Sequence, residues 1–373
     1  MPTVSVILPS YNHKDYVSTA IESVLSQSYT DYELLISDDR STDGTDKVIQ
    51  GYVDSRIKAD FLSENIGAAP NHKRLIDKCQ GKYVALINSD DVWLPGKLKK
   101  QVDYMEQHPE CGACFSYTQI IDENGCLFHD ATEMLFMQKN RTQAEWLYRF
   151  YTKGNCICHP SLLIRRELYQ EMGCYSFGLR QLPDFLMWIN IVKKYPIHII
   201  QEALVQHRRF INRGENTSSP HLRNSMRDVM ESYYILSERF FKNMSDQLFI
   251  EAFSCLFKNR EARNAQQLAC ERYFLLLSDK WYLPKISLQA AIIYYMNIID
   301  DAAIQHIFLD EYHYSPTDFF SESCKVDLLN LADTYQIDEY IRQNKAHVLA
   351  EVVFSDKNSI LYRSFRKIYK GLK

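Results

Sequence analysis

Residues 4–91 alternate β-rich runs with amphipathic stretches, and no other feature of the chain restricts its fold as strongly. Val4-Ser5-Val6-Ile7-Leu8 is a short strand signal ended by Pro9, and Asp15 to Leu25 then carries Val17, Ala20, Ile21, Val24 and Leu25 at helical spacing. Tyr32 to Ser37, Ile57 to Leu62 and Tyr83 to Ile87 repeat the strand pattern, with helical patterns over Thr45 to Tyr52 and Ala69 to Cys79 between them. Strand and helix in strict alternation predict an α/β fold, a mostly parallel sheet with right-handed crossovers. In such a sheet the strand ends converge on one edge, where ligands bind. The residues following these strands are polar: Tyr11-Asn12, Asp38-Asp39, Asn65 and Asp90-Asp91. Their convergence outlines one pocket.

Asn88-Ser89-Asp90-Asp91 places two carboxylates directly after a buried strand. Paired Asp side chains at that edge suit a divalent cation bound through hard oxygens, with phosphate completing the coordination. A plain strand-to-loop turn also accounts for Asn, Ser and Asp together.

Further along, Gly96 to His108 reads as helix, Cys111 to Ile121 as strand, Ala144 to Tyr151 as helix, Leu162 to Ile164 as strand, Asp184 to Lys194 as amphipathic helix, and Ile197 to Arg209 as strand. The Asn, Gly, Ser and Arg-rich stretch at 212–220 predicts a boundary, giving one domain over 1–215 and an α-helical one over 216–373. A hydrophobic content of 46% supports full cores in a chain of 373 residues. A net charge of −4 offers no reason to expect nucleic acid. The ten cysteines are scattered; Cys111/Cys114 lacks a second pair at zinc-site spacing, and buried thiols in a reducing compartment are expected. Met1-Pro2-Thr3 leads straight into a strand without a signal peptide pattern, and Leu288 to Ile299 is too short to span a bilayer, so a cytoplasmic location is expected.

Taken in order, these strings resemble family-2 glycosyltransferases with the GT-A fold. The resemblance rests on Val4–Asn12, Ser26–Leu34, Ser37-Asp38-Asp39-Arg40-Ser41-Thr42-Asp43-Gly44-Thr45, Asn65-Ile66-Gly67, Gly81-Lys82-Tyr83, Asn88–Asp91, His159-Pro160-Ser161 and Leu182–Trp188, and covers about residues 1 to 215. It implies an inverting, metal-dependent transfer of sugar from a nucleotide donor, commonly a UDP-sugar, to a saccharide hydroxyl. The common setting is bacterial surface polysaccharide such as lipopolysaccharide O-antigen or capsule. Asn88–Asp91 occupies the family's DxD position, with Asp91 expected to hold Mn²⁺ or Mg²⁺ and Asp90 to contact ribose or metal. Asp39 is expected to accept from the nucleobase, with Asp38 supporting its loop, although capping of the following helix is the plainer role. Pro9, Ser10, Tyr11, Asn12 and Asn65 are expected around the nucleotide. Asp184 holds the position of the catalytic base, and as a helix-initial Asp it suits a cap as well.

Two departures stand out. The family's Arg-Asn after the Asn-x-Gly loop is His72-Lys73 here, and Lys73 is either a diphosphate contact or a solvated residue. Its Tyr-Arg…His near the boundary is His207-Arg208-Arg209-Phe210, then Asn212-Arg213, so that Arg209 or Arg213 either reaches the diphosphate or forms surface pairs. His159 either lines the acceptor side or is a core histidine. The helical part serves packing, acceptor binding or self-association. The basic stretch 361–373 could touch anionic headgroups at the inner face of the plasma membrane, near an acceptor on a polyprenyl diphosphate. A nucleotidyltransferase and a non-catalytic sugar-nucleotide-binding scaffold are the competing functions; the first usually needs a Gly-rich basic loop that Pro9-Ser10-Tyr11-Asn12-His13 does not supply.

Overall fold

A computed structural model of the chain describes residues 1–129, 131–210 and 222–326. Its strands are β1 (Val4–Ser10), β2 (Tyr32–Asp38), β3 (Ile57–Phe61), β4 (Tyr83–Leu86), β5 (Val92–Trp93), β6 (Ala113–Ile121), β7 (Leu163–Arg165) and β8 (Ile197–Arg208). Between them lie α1 (Val17–Leu25), α2 (Thr45–Gln50), α3 (Ala68–Lys78), α4 (Lys97–Gln107), α5 (Ala131–Phe136), α6 (Gln143–Lys153), α7 (Glu167–Met172) and α8 (Pro183–Val192). Beyond them follow α9 (Leu222–Tyr234), which runs on into a π-helical segment Ile235–Phe240, then α10 (Asp246–Phe253), α11 (Ala265–Leu277), α12 (Pro284–Ile298), α13 (Ala302–Asp310) and α14 (Pro316–Ser323).

All eight strands form one sheet in the order β3-β2-β1-β4-β7-β6-β8-β5. β1, β2, β3 and β4 pair in parallel, as the alternating pattern requires. β7 departs from that pattern: it runs antiparallel to both β4 and β6, and β5 is antiparallel to β8. The sheet is therefore mixed. Parallel register pairs Ser10 with Asp38, so the chain leaves β1 and β2 at the same level.

The apolar residues of β1 and α1 share one core. Val4, Val6 and Leu8 point into the same buried cluster as Val17, Ala20, Ile21 and Val24. Each such aliphatic side chain contributes about 1.5–3 kcal/mol on burial. Gly81 is required by close packing rather than by conformation: a Cβ there would stand 2.5 Å from the backbone nitrogen of Ser5. Glu33, buried in β2, accepts from Ser5 Oγ, Gln80 N–H and Lys58 Nζ. Burial alone would raise its pKa, but these donors outweigh it and leave it lowered.

Buried amides fix the chain after β4. Gln27 donates to Leu94 O and accepts from Leu98 N–H, and Gln101 donates to Cys114 O and Ser161 O. Lys97 is fully buried over the Trp93 ring at 4.0 Å and donates to Gln101 Oε1; burial pulls its pKa down to about 7.

Met1–His313 form one compact unit, and α14 belongs to a second that begins at Tyr314. Within the first unit, the helices after residue 222 pack on α6: Tyr151 packs edge-on to Phe240, Phe253 and Trp281, and its hydroxyl donates to Leu275 O. The boundary expected near 215 falls within 211–221, outside the described residues. Six cysteines are buried: Cys79, Cys111, Cys114, Cys156, Cys158 and Cys270. Among the described residues no helix is long and apolar enough to cross a membrane.

Candidate active site

The site assembles at the ends of β1, β2 and β4. Asp39 N–H donates to Ser10 O, joining the two strand exits. Asn12 adopts a left-handed backbone, φ 54°, where Asn is tolerated best after Gly; its N–H donates to Ser41 Oγ and its side-chain oxygen accepts from Thr42 N–H. Asp38 accepts from the N–H and hydroxyl of Ser41, so it shapes this loop and, at 2% exposure, presents little surface to a ligand. Tyr11 is exposed, whereas the hydroxyl of Ser10 is buried with no hydrogen-bond partner. Pro9 lies within β1, level with Ser37.

Asp39 is more deeply engaged than the sequence suggested. Its two oxygens accept from Ile66 N–H at 2.8 Å and Gly67 N–H at 2.9 Å, while Asn65 Nδ2 donates to its carbonyl. Each oxygen retains a second lone pair for a further donor. Gly67, with φ 88°, permits the sharp entry into α3 that presents these N–H groups.

The acid pair separates into two environments. Asp91 has no accessible surface, and both its oxygens are taken: Oδ1 by His207 Nδ1 at 2.9 Å and Arg208 N–H at 2.9 Å, Oδ2 by Asn88 Nδ2 at 2.8 Å. The expected metal ligand is thus an inward-facing carboxylate that anchors β8. Asp90 remains partly accessible at 16%, with His13 Nδ1 4.0 Å away and itself bonded to Ser89 Oγ. Burial first, and the Asp91 charge second, push the Asp90 carboxyl above the usual range. Burial also pulls the His207 imidazole down, but the Asp91 carboxylate outweighs it and leaves His207 with a raised pKa.

Asp184 sits in the first turn of α8, partly buried. Its Oδ2 accepts from Asn155 Nδ2 at 3.0 Å and its Oδ1 from Phe185 N–H at 2.7 Å. Burial pushes its pKa up to about 6, against the opposing hydrogen bonds. Burial pushes the Cys158 thiol well above its usual range, and the charges of Asp91 and Asp184 add to that rise.

The other expected contacts have these partners. Lys73 pairs with Asp77 at 2.5 Å on the exposed face of α3, the solvated alternative. Arg209 donates to Thr132 Oγ1 and thereby ties α5 to β8. His159, half-buried, is bonded to Tyr175 OH at 2.7 Å and packs against the rings of His72 and Trp188. Arg213 and 361–373 lie outside the described residues. Three residues enter that the sequence reading did not single out: His13, Asn155 and His207. A shallow cavity of about 550 Å³, against Leu35, Lys58, Asp60 and Asp77, holds none of the acid-edge residues.

Comparison with known proteins bears on the family and the fold. The profile of "Glycosyl transferase family 2" matches residues 5–173. The chain is 34% identical over 213 residues to the putative teichuronic acid biosynthesis glycosyltransferase TuaG of Bacillus subtilis, covering 56% of this chain and 79% of that one. It is 29% identical over 197 residues to the UDP-Glc:alpha-D-GlcNAc-diphosphoundecaprenol beta-1,3-glucosyltransferase WfgD of Escherichia coli, covering 53% and 72%. In fold it is similar to S. aureus TarS 1-349 in complex with UDP-GlcNAc, with a TM-score of 0.52 and 16% identity over 84% of this chain and 93% of that one. A GT-A sheet with an acid edge, and a relative of this identity matched over most of its length, place the chain in glycosyltransferase family 2.

Proposed function

We propose that the enzyme transfers a sugar from a UDP-sugar, with inversion, to a hydroxyl of a lipid-diphosphate-linked saccharide in bacterial surface polysaccharide assembly. The similarity to WfgD and TuaG supports the acceptor class and the setting, and the shared fold with UDP-GlcNAc-bound TarS supports the donor. The observation that carries the mechanism is Asp184: a partly buried carboxylate in the first turn of α8, held by the side-chain amide of Asn155.

In this reading Tyr11, Ser10 and Pro9 line the base pocket, and Asp39 accepts from the base through its remaining lone pairs. Asp90, the more accessible of the two carboxylates, takes the cation, and Asp91 acts behind it by orienting His207. A carboxylate that fixes one imidazole nitrogen leaves the other aimed outward, the common arrangement behind a metal-binding histidine. The donor set fits Mg²⁺ or Mn²⁺, because Asp90 offers hard carboxylate oxygens that remain accessible at the sheet edge. Among the described residues no cluster of three or more His, Cys, Asp or Glu could hold a metal; diphosphate oxygens would complete the shell. The cation, when bound, supplies Lewis-acid stabilisation of the charge developing on the diphosphate. Asp184 accepts the acceptor hydroxyl proton as that oxygen attacks the anomeric carbon, and Asn155 holds its second oxygen in place.

Calorimetry of UDP with and without Mn²⁺ tests the reading. Tighter binding with Mn²⁺, lost in Asp90→Asn, is expected; equal affinity with and without the cation would overturn it.

A further inference from the structure

The geometry points to Glu231, on α9, as a positioning residue for the base: it fixes the start of α8 so that Asp184 faces the acceptor. The inference rests on Asp184 being that base. Glu231 is 5% exposed, and its carboxylate accepts three consecutive backbone N–H groups, from Arg180 at 2.8 Å, Gln181 at 2.7 Å and Leu182 at 2.8 Å. These residues immediately precede Pro183 and Asp184. No side chain caps α8 at Leu182, and Pro183 has no N–H, so a carboxylate from a distant helix orders the approach to the first turn.

The neighbouring residue braces the other side. Ser232 Oγ and Tyr282 OH are 2.7 Å apart, and Tyr282 N–H donates to Tyr151 O at 3.1 Å. The Tyr282 ring lies against Gly154 so closely that a Cβ there would be 3.2 Å from it. Gly154 precedes Asn155, the donor to Asp184. Two adjacent buried residues of α9 therefore reach the segments that carry both members of the Asn155–Asp184 pair, Glu231 directly and Ser232 through Tyr282 and Gly154. The helical segment thus positions the base from outside the sheet domain.

The charge of Glu231 also acts on Asp184. The groups that act on Asp184 include Glu231, the Cys158 thiol, the Tyr175 hydroxyl, the Asn155 amide and the Phe185 N–H. Burial keeps the thiol and the phenol neutral, while Glu231 adds to the rise that burial imposes on Asp184.

Transfer kinetics of Glu231→Gln, measured beside Asp184→Asn, test the inference. A misplaced base is expected to lower kcat by about tenfold or more. UDP affinity should stay within about twofold, and the acidic limb of the pH profile should move down in pH as the neighbouring charge is lost. A kcat within twofold of the parent, or UDP affinity falling in step with kcat, would overturn it. If Gln at 231 unfolds the chain at the assay temperature, Glu231→Asp, which withdraws the carboxylate by one methylene but keeps its charge, carries the same expectation for kcat with no shift of the acidic limb. Unimpaired transfer by Asp184→Asn defeats the base assignment itself; loss of transfer there with normal Glu231 variants defeats only the present inference.

Discussion

His207 Nδ1 lies 2.9 Å from Asp91 Oδ1, and the pairing of Val92 with Gln206 between β5 and β8 sets that distance. The contact assigns different work to two adjacent carboxylates. Asp91 faces inward and holds β8; Asp90 keeps the accessible side.

The division predicts distinct effects of the two amide substitutions. Asp90→Asn should abolish the Mn²⁺-dependent part of UDP binding. Asp91→Asn should weaken it by roughly 10–100-fold, as loss of an orienting partner does. It should also lower the pKa of His207, since burial would no longer be opposed by a carboxylate. Calorimetry gives the first readout and histidine NMR titration the second. Asp91→Asn as the more damaging change to metal-dependent binding would reverse the assignment.

Asp184 predicts a pH dependence in activity and in stability. As a base it must be ionised, so kcat/KM should rise with pH through about 6. Its folded pKa exceeds the unfolded value of about 3.9. The folded state therefore binds the proton more tightly, and this contribution is lost as pH rises from about 4 to about 6. Asp184→Asn should then be more stable than the parent at pH 7.5, by roughly 2 kcal/mol, and indistinguishable from it near pH 4. Thermal unfolding at the two pH values checks this.

Lys97 behaves in the opposite sense. Burial holds its folded pKa at about 7, below the unfolded value near 10.4. The unfolded chain binds the proton more tightly, so stability should increase as pH rises from 7 towards 10. Lys97→Met should flatten that rise and be more stable at pH 7 by on the order of 1–3 kcal/mol. Urea denaturation at pH 7 and pH 9 distinguishes this from a simple loss of packing, which would destabilise equally at both.

Gly81→Ala should destabilise by about 1–3 kcal/mol, because the new methyl group meets the Ser5 backbone at 2.5 Å and neither strand can yield. Urea midpoints measure it, and a neutral result would contradict the packing described.

Much of this was legible in the sequence because hydrophobic period reports directly on β1–β4, α1 and α3. The later strands are harder to read. β5 has two residues, too few for any period, and β7 runs antiparallel in a stretch whose composition says nothing of direction. Which of Asp90 and Asp91 faces the ligand depends on β5 pairing with β8, a contact between residues far apart in the chain. Glu231 and Asn155 were hidden for the same reason. Lys73 was different: the i, i+4 partner Asp77 stood in the sequence and already favoured a solvated pair.

The most direct test is time-resolved NMR of the transfer product formed from an α-linked UDP-sugar that the enzyme hydrolyses in a donor screen. The account predicts a β-configured product from the parent enzyme and none above background from Asp184→Asn. A product of retained configuration, or equal product from both proteins, would contradict it.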